Sequence, residues 1–431
     1  MNELSEESNQ LLSDLQTDAF RYFVNEVNPD NGLVADCTKK GWPSSIAAVG
    51  MALSAYPVGV ERNFITRDDA IQRTLKELRF FAGSEQSTGA YATGYKGFYY
   101  HFLDMKTGRR AWQCELSTID STFLFAGMLS AAAYFDRDSE EEIEIRRLAD
   151  ELYRRADWRW AINGGATLTH GWMPENGFLP YRWEGYDEST LAYILGLGSP
   201  TFPVPVQSYQ AHVATYDWRK VCDYEYLFAG PLFTHQFSHI WVDFRGIQDS
   251  FMREHNLDYF ENSRRATYAQ QEYARRNPNG FKGYSEVCWG LTACEGPGPG
   301  DLIIDGVKRV FYDYVARGVP DGPDDGTVAP WAVVASLPFA QEIVLPTLEH
   351  FNEIEIGVDH PYGLEATFNP TFPDERCRDC GWVSPWHFGI NEGPIVLMIE
   401  NHRTDFLWRL MRNCPYVLAG LRRAGFTGGW L

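Results

Sequence analysis

Acidic side chains set among glycines and aromatics recur along this chain, and the most pointed group is Trp183-Glu184-Gly185-Tyr186-Asp187-Glu188. A glutamate at a helix start, beside Tyr and Gly, can project into a cleft whose apolar walls raise its pKa, which suits Glu188 to donate a proton. The same place also suits a carboxylate that is merely favoured by the helix dipole. A second group, Cys114-Glu115-Leu116-Ser117-Thr118-Ile119-Asp120, lies between an aromatic loop and a helical stretch of small residues. There Ser117 and Glu115 could equally be capping groups. In a third, Asn391-Glu392-Gly393-Pro394, the proline explains the entry into a helix and leaves the carboxylate without a structural duty. Trp289 to Glu295 and Tyr362 to Glu365 repeat the pattern of aromatic, glycine and acid. The chemistry these residues share is glycosidic cleavage: one carboxylic acid protonates the leaving oxygen, and a second carboxylate activates water or attacks the sugar.

Other chemistries fare worse. The chain has no GxSxG elbow, no Walker loop and no glycine-rich turn between a strand and a helix. His235 and His239 stand four apart without the glutamate of a zinc protease, and Cys377 to Cys380 is a lone CxxC that reads as loop thiols. No metal or cofactor is expected, so activity should survive chelation. A formal net charge of -20 repels phosphate backbones and anionic lipids, which argues against nucleic-acid and membrane partners but not against a neutral ligand. Aromatic residues make up 15% of the chain, with 14 Trp; such rings fill helical cores and also stack on the C–H faces of sugars.

The elements that must position these residues are helical. Apolar residues recur at helical spacing over 10–26, 44–56, 66–83, 116–135, 141–157, 188–197, 262–275, 340–353, 394–401 and 404–424. No stretch alternates at period two for long, so strands should be minor. Between the helices run long connections rich in Gly, Pro and aromatics at 85–113, 163–187, 198–218, 277–301, 318–338 and 357–393. Loops that long usually carry function. With no break in composition, residues 1–431 read as one all-α domain, a toroid of paired helices whose loops build a cleft at one rim. The polar, acidic start MNELSEESNQLLSDLQ has no signal-peptide pattern and no apolar run is long enough for a bilayer. The chain as it stands reads as cytoplasmic, or as periplasmic had a leader been removed; the oligomeric state is not legible.

Assembled, the motifs resemble the glucoamylase-like family whose characterised members, glycoside hydrolase family 144, are endo-β-1,2-glucanases. The pieces that carry the likeness include SSIAAVGMALSAY at 44–56, GFYYHFLD at 97–104, ELSTIDSTFLFAG at 115–127, GYDES at 185–189, GSPTFP at 198–203, HQFSHIWVDFRG at 235–246, WGLTACE at 289–295, DGTVAP at 325–330 and GPIVLMIENHRTDFLW at 393–408. The resemblance implies an (α/α)6 barrel, a glucan or gluco-oligosaccharide as substrate, no metal requirement and anomer-inverting hydrolysis. It places Glu188 at the family's general acid. Substrate contacts are expected from Asp36, Glu115, Tyr186, His235, Arg245, Trp289, Glu295 and Glu365. Two departures matter. Asp187 stands where the family usually has Asn, and Asn391-Glu392 stands where it usually reads Asp-Gln. Asn391 cannot act as a base, so Glu392 is expected to take over if the loop re-aims it, with Asp120, Glu115 and Glu295 as the other carboxylates in play. A transglycosylase, a hydrolase of another glucan and a glucan-binding protein that has lost its base stay open as alternatives.

Overall fold

The computed structural model describes residues 5–357, 360–374 and 380–431. In chain order its helices are α1 (Glu6–Asn25), α2 (Ile46–Glu61), α3 (Arg67–Gly83), α4 (Thr118–Tyr134), α5 (Glu140–Arg155), α6 (Trp158–Ala161), α7 (Thr190–Gly198) and α8 (Val206–Val213). They continue as α9 (Phe237–Trp241), α10 (Ser250–Glu254), α11 (Tyr259–Arg276), α12 (Pro330–Ala335), α13 (Gln341–Glu353), α14 (Gly389–Thr404), α15 (Phe406–Arg412) and α16 (Pro415–Arg423).

Two kinds of helix alternate, and burial separates them. α2, α4, α7, α9, α12 and α14 are buried on nearly every side, as expected of helices that are apolar all round. α1, α3, α5, α11 and α13 each bury one stripe and show polar residues to solvent. The inner six follow one another in chain order, α2 on α4, α4 on α7, α12 on α14 and α14 on α2 by packing and the α9 region to α7 and α12 by hydrogen bonds, and the amphipathic helices pack outside them. This is the expected (α/α)6 toroid. Polar side chains stitch the inner ring where the short helices could not hold by themselves. Ser238 on α9 accepts from the Leu191 amide on α7 at 3.1 Å, and Gln236 donates to the Ala332 carbonyl on α12 at 2.6 Å. Asn401 on α14 donates to the Ile240 carbonyl at 2.9 Å, and the Trp241 indole donates to Ser54 on α2 at 2.9 Å.

The small residues that mark α2 and α4 in the sequence let their backbones touch. A Cβ on Gly50 would sit 2.3 Å from the Phe123 carbonyl oxygen, and one on Gly127 would sit 2.2 Å from that of Gly50. Alanine in mid-helix normally gains about 1 kcal/mol over glycine, but two backbones cannot part without repacking the ring. Gly50→Ala is therefore expected to destabilise the fold by roughly 3 kcal/mol, the upper part of the overpacking range, read as a lower denaturant midpoint. A midpoint at or above the wild-type value would show that the contact is looser than the geometry states.

Differences from the sequence reading lie in short elements. The expected helix at 404–424 is two, α15 and α16, and the short inner helices α9 and α12 fall in segments where no helical period is visible over five or six residues. Strands are short; the longest pair, Gly300–Ile304 with Val307–Phe311, forms an antiparallel hairpin. No helix of the described residues is long and apolar enough to cross a membrane. Cys377 lies outside the described residues, while Cys380 is disulfide-bonded, which corrects the reading of that thiol as free.

Candidate active site

At one end of the ring the inner helices open onto a cavity of about 290 Å3. Its acidic walls are Glu115, Asp120, Glu188 and Glu295, and Asn391, His101, His170 and Ser117 add to the polar lining. Phe123, Trp183, Phe237, Trp331 and Phe388 supply apolar walls, and Tyr314 stands in the mouth with 70% of its surface exposed.

Glu188 occupies the turn that leads into α7. Its backbone carbonyl accepts from Ser238 at 2.9 Å, and the same hydroxyl holds the next turn through Leu191. The backbone that carries the side chain is thereby fixed. Burial pushes its pKa well above the ordinary carboxyl value, and the neighbouring charges of Asp187 and Asp120 push in the same direction. Asp187 is turned into its own loop, where it accepts from the Ser189 amide at 2.9 Å and the Ser189 hydroxyl at 2.5 Å. Burial and these neighbours thus favour the protonated form of Glu188 over the carboxylate, the form that can give a proton away.

A second group in the lining of the same cavity is organised by His101. Its Nδ1 lies 2.9 Å from Glu115 and its Nε2 3.7 Å from Asp120. Burial by itself would lower the His101 pKa, but the charge of Asp120, the hydrogen bond and charge of Glu115 and the charge of Asp36 outweigh it and lift it to about 9. The imidazolium in turn holds Glu115 below the usual carboxylate range despite the opposing effect of burial. Asp120, in the first turn of α4, accepts from the Ser117 hydroxyl at 2.5 Å, while the same oxygen caps the helix by accepting from the Asp120 amide at 3.1 Å. The donor atoms of His101, Glu115 and Asp120 lie within 4.8 Å of one another, so the cluster has the makings of a cation site; as it stands, His101 is itself the cation between two carboxylates. The sequence reading assigned no role to His101, His170, Trp183, Ser238 or Tyr314. His101 sits in the quoted GFYYHFLD stretch, but nothing in its spacing announces that strands bring it to Glu115 and Asp120.

Two further expected residues stand at this site. Glu295 lines the cavity, accepts from the Ser384 hydroxyl at 2.5 Å, and has its pKa raised by burial. Asp36 sits behind His101, accepts from the Trp42 indole at 3.1 Å, and is pushed up by burial to about 6.

The placement of Glu392 differs from the expectation. The helix starts at Gly389, so residues 391 and 392 are already in α14 and no loop is left to re-aim a side chain. Successive residues of a helix point about 100° apart; Asn391 faces the cavity and Glu392 does not. The Glu392 carboxyl lies instead in the wall behind, 3.0 Å from Nδ1 of His387. The rest of that wall is a relay: His387 Nε2 is 3.2 Å from His360 Nδ1, and His360 Nε2 is 3.2 Å from Glu365. Glu365 therefore also lies outside the cavity, with burial raising its pKa to about 7. Four other expected contacts are parts of the framework. Trp289 is fully buried and donates to Thr347 at 2.9 Å. Arg245 bridges Asp243 and Asp405 with its guanidinium over the Trp408 ring. Tyr186 packs on Tyr259, Tyr216 and His235. His235 itself bonds the Ala229 carbonyl at 3.1 Å, and burial lowers its pKa to about 4.

An (α/α)6 toroid whose rim cavity is lined by a buried glutamate and by two carboxyl groups gathered on a histidine defines the class of molecule: a helical barrel built around a carboxyl-lined cleft. The model of the family described as "Putative glucoamylase" matches residues 180–415, and the chain belongs to that family. A crystal structure from Bacteroides uniformis described in the same words is 31% identical, each chain covering all of the other at a TM-score of 0.86. The endo-β-1,2-glucanase of Chitinophaga pinensis, solved with sophorotriose and glucose, is 25% identical over the whole of both chains, also at 0.86. An exo β-1,2-glucooligosaccharide sophorohydrolase of Parabacteroides distasonis is 27% identical over 96% of this chain, which spans 57% of that relative's length.

Proposed function

We propose that this chain is a glycoside hydrolase that cleaves β-1,2-linked glucan, endo-acting and with inversion at the anomeric carbon. The observation that carries the acid–base chemistry is the meeting, in the lining of one cavity, of a Glu188 carboxyl whose pKa burial raises and of Asp120 and Glu115 gathered on His101. The linkage rests on the two relatives named for action on β-1,2-glucans. In this reading Glu188 protonates the leaving glycosidic oxygen as the C–O bond breaks. Asp120 accepts a proton from the water whose oxygen forms the new bond to the anomeric carbon. His101 keeps Asp120 and Glu115 oriented and balances their charge.

The test is product analysis by thin-layer chromatography on a panel of β-1,2-, β-1,3-, β-1,4- and α-1,4-glucans. New reducing ends are expected from the β-1,2-polymer alone, with the rate unchanged in EDTA. Release only from another polymer, or a rate lost to EDTA and restored by a divalent cation, overturns the reading. One observation favours a second outcome: Asn391 faces the cavity where the family usually has Asp, so a sugar hydroxyl could replace water as acceptor. Cyclic or lengthened products, without new reducing ends, would identify that transferase.

A further inference from the structure

Beyond the catalytic cavity, the rim carries a tryptophan that the fold exposes at some conformational expense. Trp112 is 55% exposed, and both it and Gln113 adopt left-handed backbone, with φ of 52° and 51°. Side chains other than glycine rarely take that conformation, and two in succession persist only where the surroundings over-determine them. Here they do. The buried guanidinium of Arg110, itself paired with Glu175 at 2.7 Å, donates to the Cys114 carbonyl at 2.5 Å and the Gln113 carbonyl at 2.8 Å. The Ala111 amide is fixed on the Phe102 carbonyl at 2.9 Å. The turn is clamped so that the indole stands outward.

The ring is also braced. Trp42 meets it edge-on with centroids 4.6 Å apart, and Phe102 lies against it at 5.1 Å. The Trp42 indole is held by Asp36, and Lys39 covers its ring at 4.2 Å. Phe102 in turn stacks on His101 at 3.9 Å, and His101 is a wall of the catalytic cavity. The aromatic surface thus runs unbroken from the reacting centre to an exposed, rigid indole outside it.

We propose that Trp112 is a stacking platform for a pyranose ring of the substrate chain lying beyond the catalytic cavity, and so sets the preference for longer glucans. This rests on the glucan reading above. The occupant is a neutral sugar because a braced indole offers a flat apolar face to C–H bonds, and a chain of net charge -20 disfavours anionic ligands. Rigidity matters because a pre-ordered platform binds without first losing its own freedom.

The experiment compares wild type, Trp112→Ala and Trp112→Phe on β-1,2-gluco-oligosaccharides of increasing length and on the polymer. For the wild type, KM is expected to fall as length increases. In Trp112→Ala that fall is lost, so KM on the polymer rises roughly 10-fold with kcat unchanged, as for removal of binding made equally in ground and transition states. The shortest cleaved substrate is unaffected, and Trp112→Phe recovers most of the length dependence. A variant with the wild-type length dependence overturns the platform, as does an equal loss at every length, which would assign Trp112 a role in the cavity or the fold. A change in oligomeric state on gel filtration would overturn it in favour of a contact between copies. If the wild type neither binds nor cleaves β-1,2-glucan, the proposed function fails first, and that control separates the two failures.

Discussion

Glu188→Gln is expected to lower kcat on β-1,2-glucan at least ~100-fold, the scale of general acid catalysis, while glucan binding measured by calorimetry persists. The substitution keeps shape and polarity and removes only the proton that is given away. The wild-type pH profile carries the same information. Because burial and the charge of Asp187 raise the Glu188 pKa, the acid stays loaded through the ordinary carboxylate range and is lost only as pH rises through the raised value. That gives kcat/KM a basic limb. Stability should move in the same direction. The folded state binds this proton more tightly than the unfolded chain, whose value is near 4.5, so stability is lost as pH climbs from that value through the folded-state pKa. Glu188→Gln removes the penalty and is expected to be at least as stable as wild type at neutral pH. A variant that keeps most of its turnover would reduce Glu188 to a helix-start carboxylate.

The second large effect separates Asp120 from Glu392. Asp120→Asn is expected to reduce hydrolysis at least ~100-fold, since Asp120 faces the cavity and is the carboxylate opposite the acid in the proposed mechanism. Glu392→Gln is expected to leave kcat within a few-fold of wild type, because its carboxyl meets His387 behind the wall rather than substrate. Its cost falls on the fold instead. Leaving a buried polar group without its partner costs about 1–3 kcal/mol, and a neutral amide that keeps a polar atom beside His387 should lose less than that. Thermal unfolding and turnover measured on both variants decide the matter. If Glu392→Gln is inactive at full stability while Asp120→Asn still turns over, the base acts through the His387 side and the assignment fails.

Much of the architecture was legible because helical periodicity and small-residue stretches are local signals. The small residues of 44–56 and 116–135 are such a local signal, and Gly50 and Gly127 are where the two backbones touch. The long aromatic loops announced a cleft. The helices that eluded the sequence, α9 and α12, are held by tertiary hydrogen bonds from Gln236 and Asn401 rather than by any pattern of their own. The cavity was half legible for a related reason. Glu188, Asp120, Glu115 and Glu295 sit in motifs where an acid interrupts glycines and aromatics, and the structure brings all four to one cavity. Tyr186, Trp289, His235 and Arg245 sit in motifs just as suggestive, yet they serve the core and the framework.

What the sequence determined by itself, then, was composition-driven and periodic: an all-helical toroid, and a short set of carboxylates set among glycines and aromatics. The tertiary structure alone decided which of them meet in one cavity. A helix beginning at Gly389 instead of after Pro394 turns Glu392 away by about 100° and leaves Asn391 in the cavity. Strand pairing across the rim carries His101 to residues 14 and 19 positions further along and makes an imidazolium of it. Protonation and facing depend on burial and on neighbours distant in the chain. No spacing within one segment encodes either.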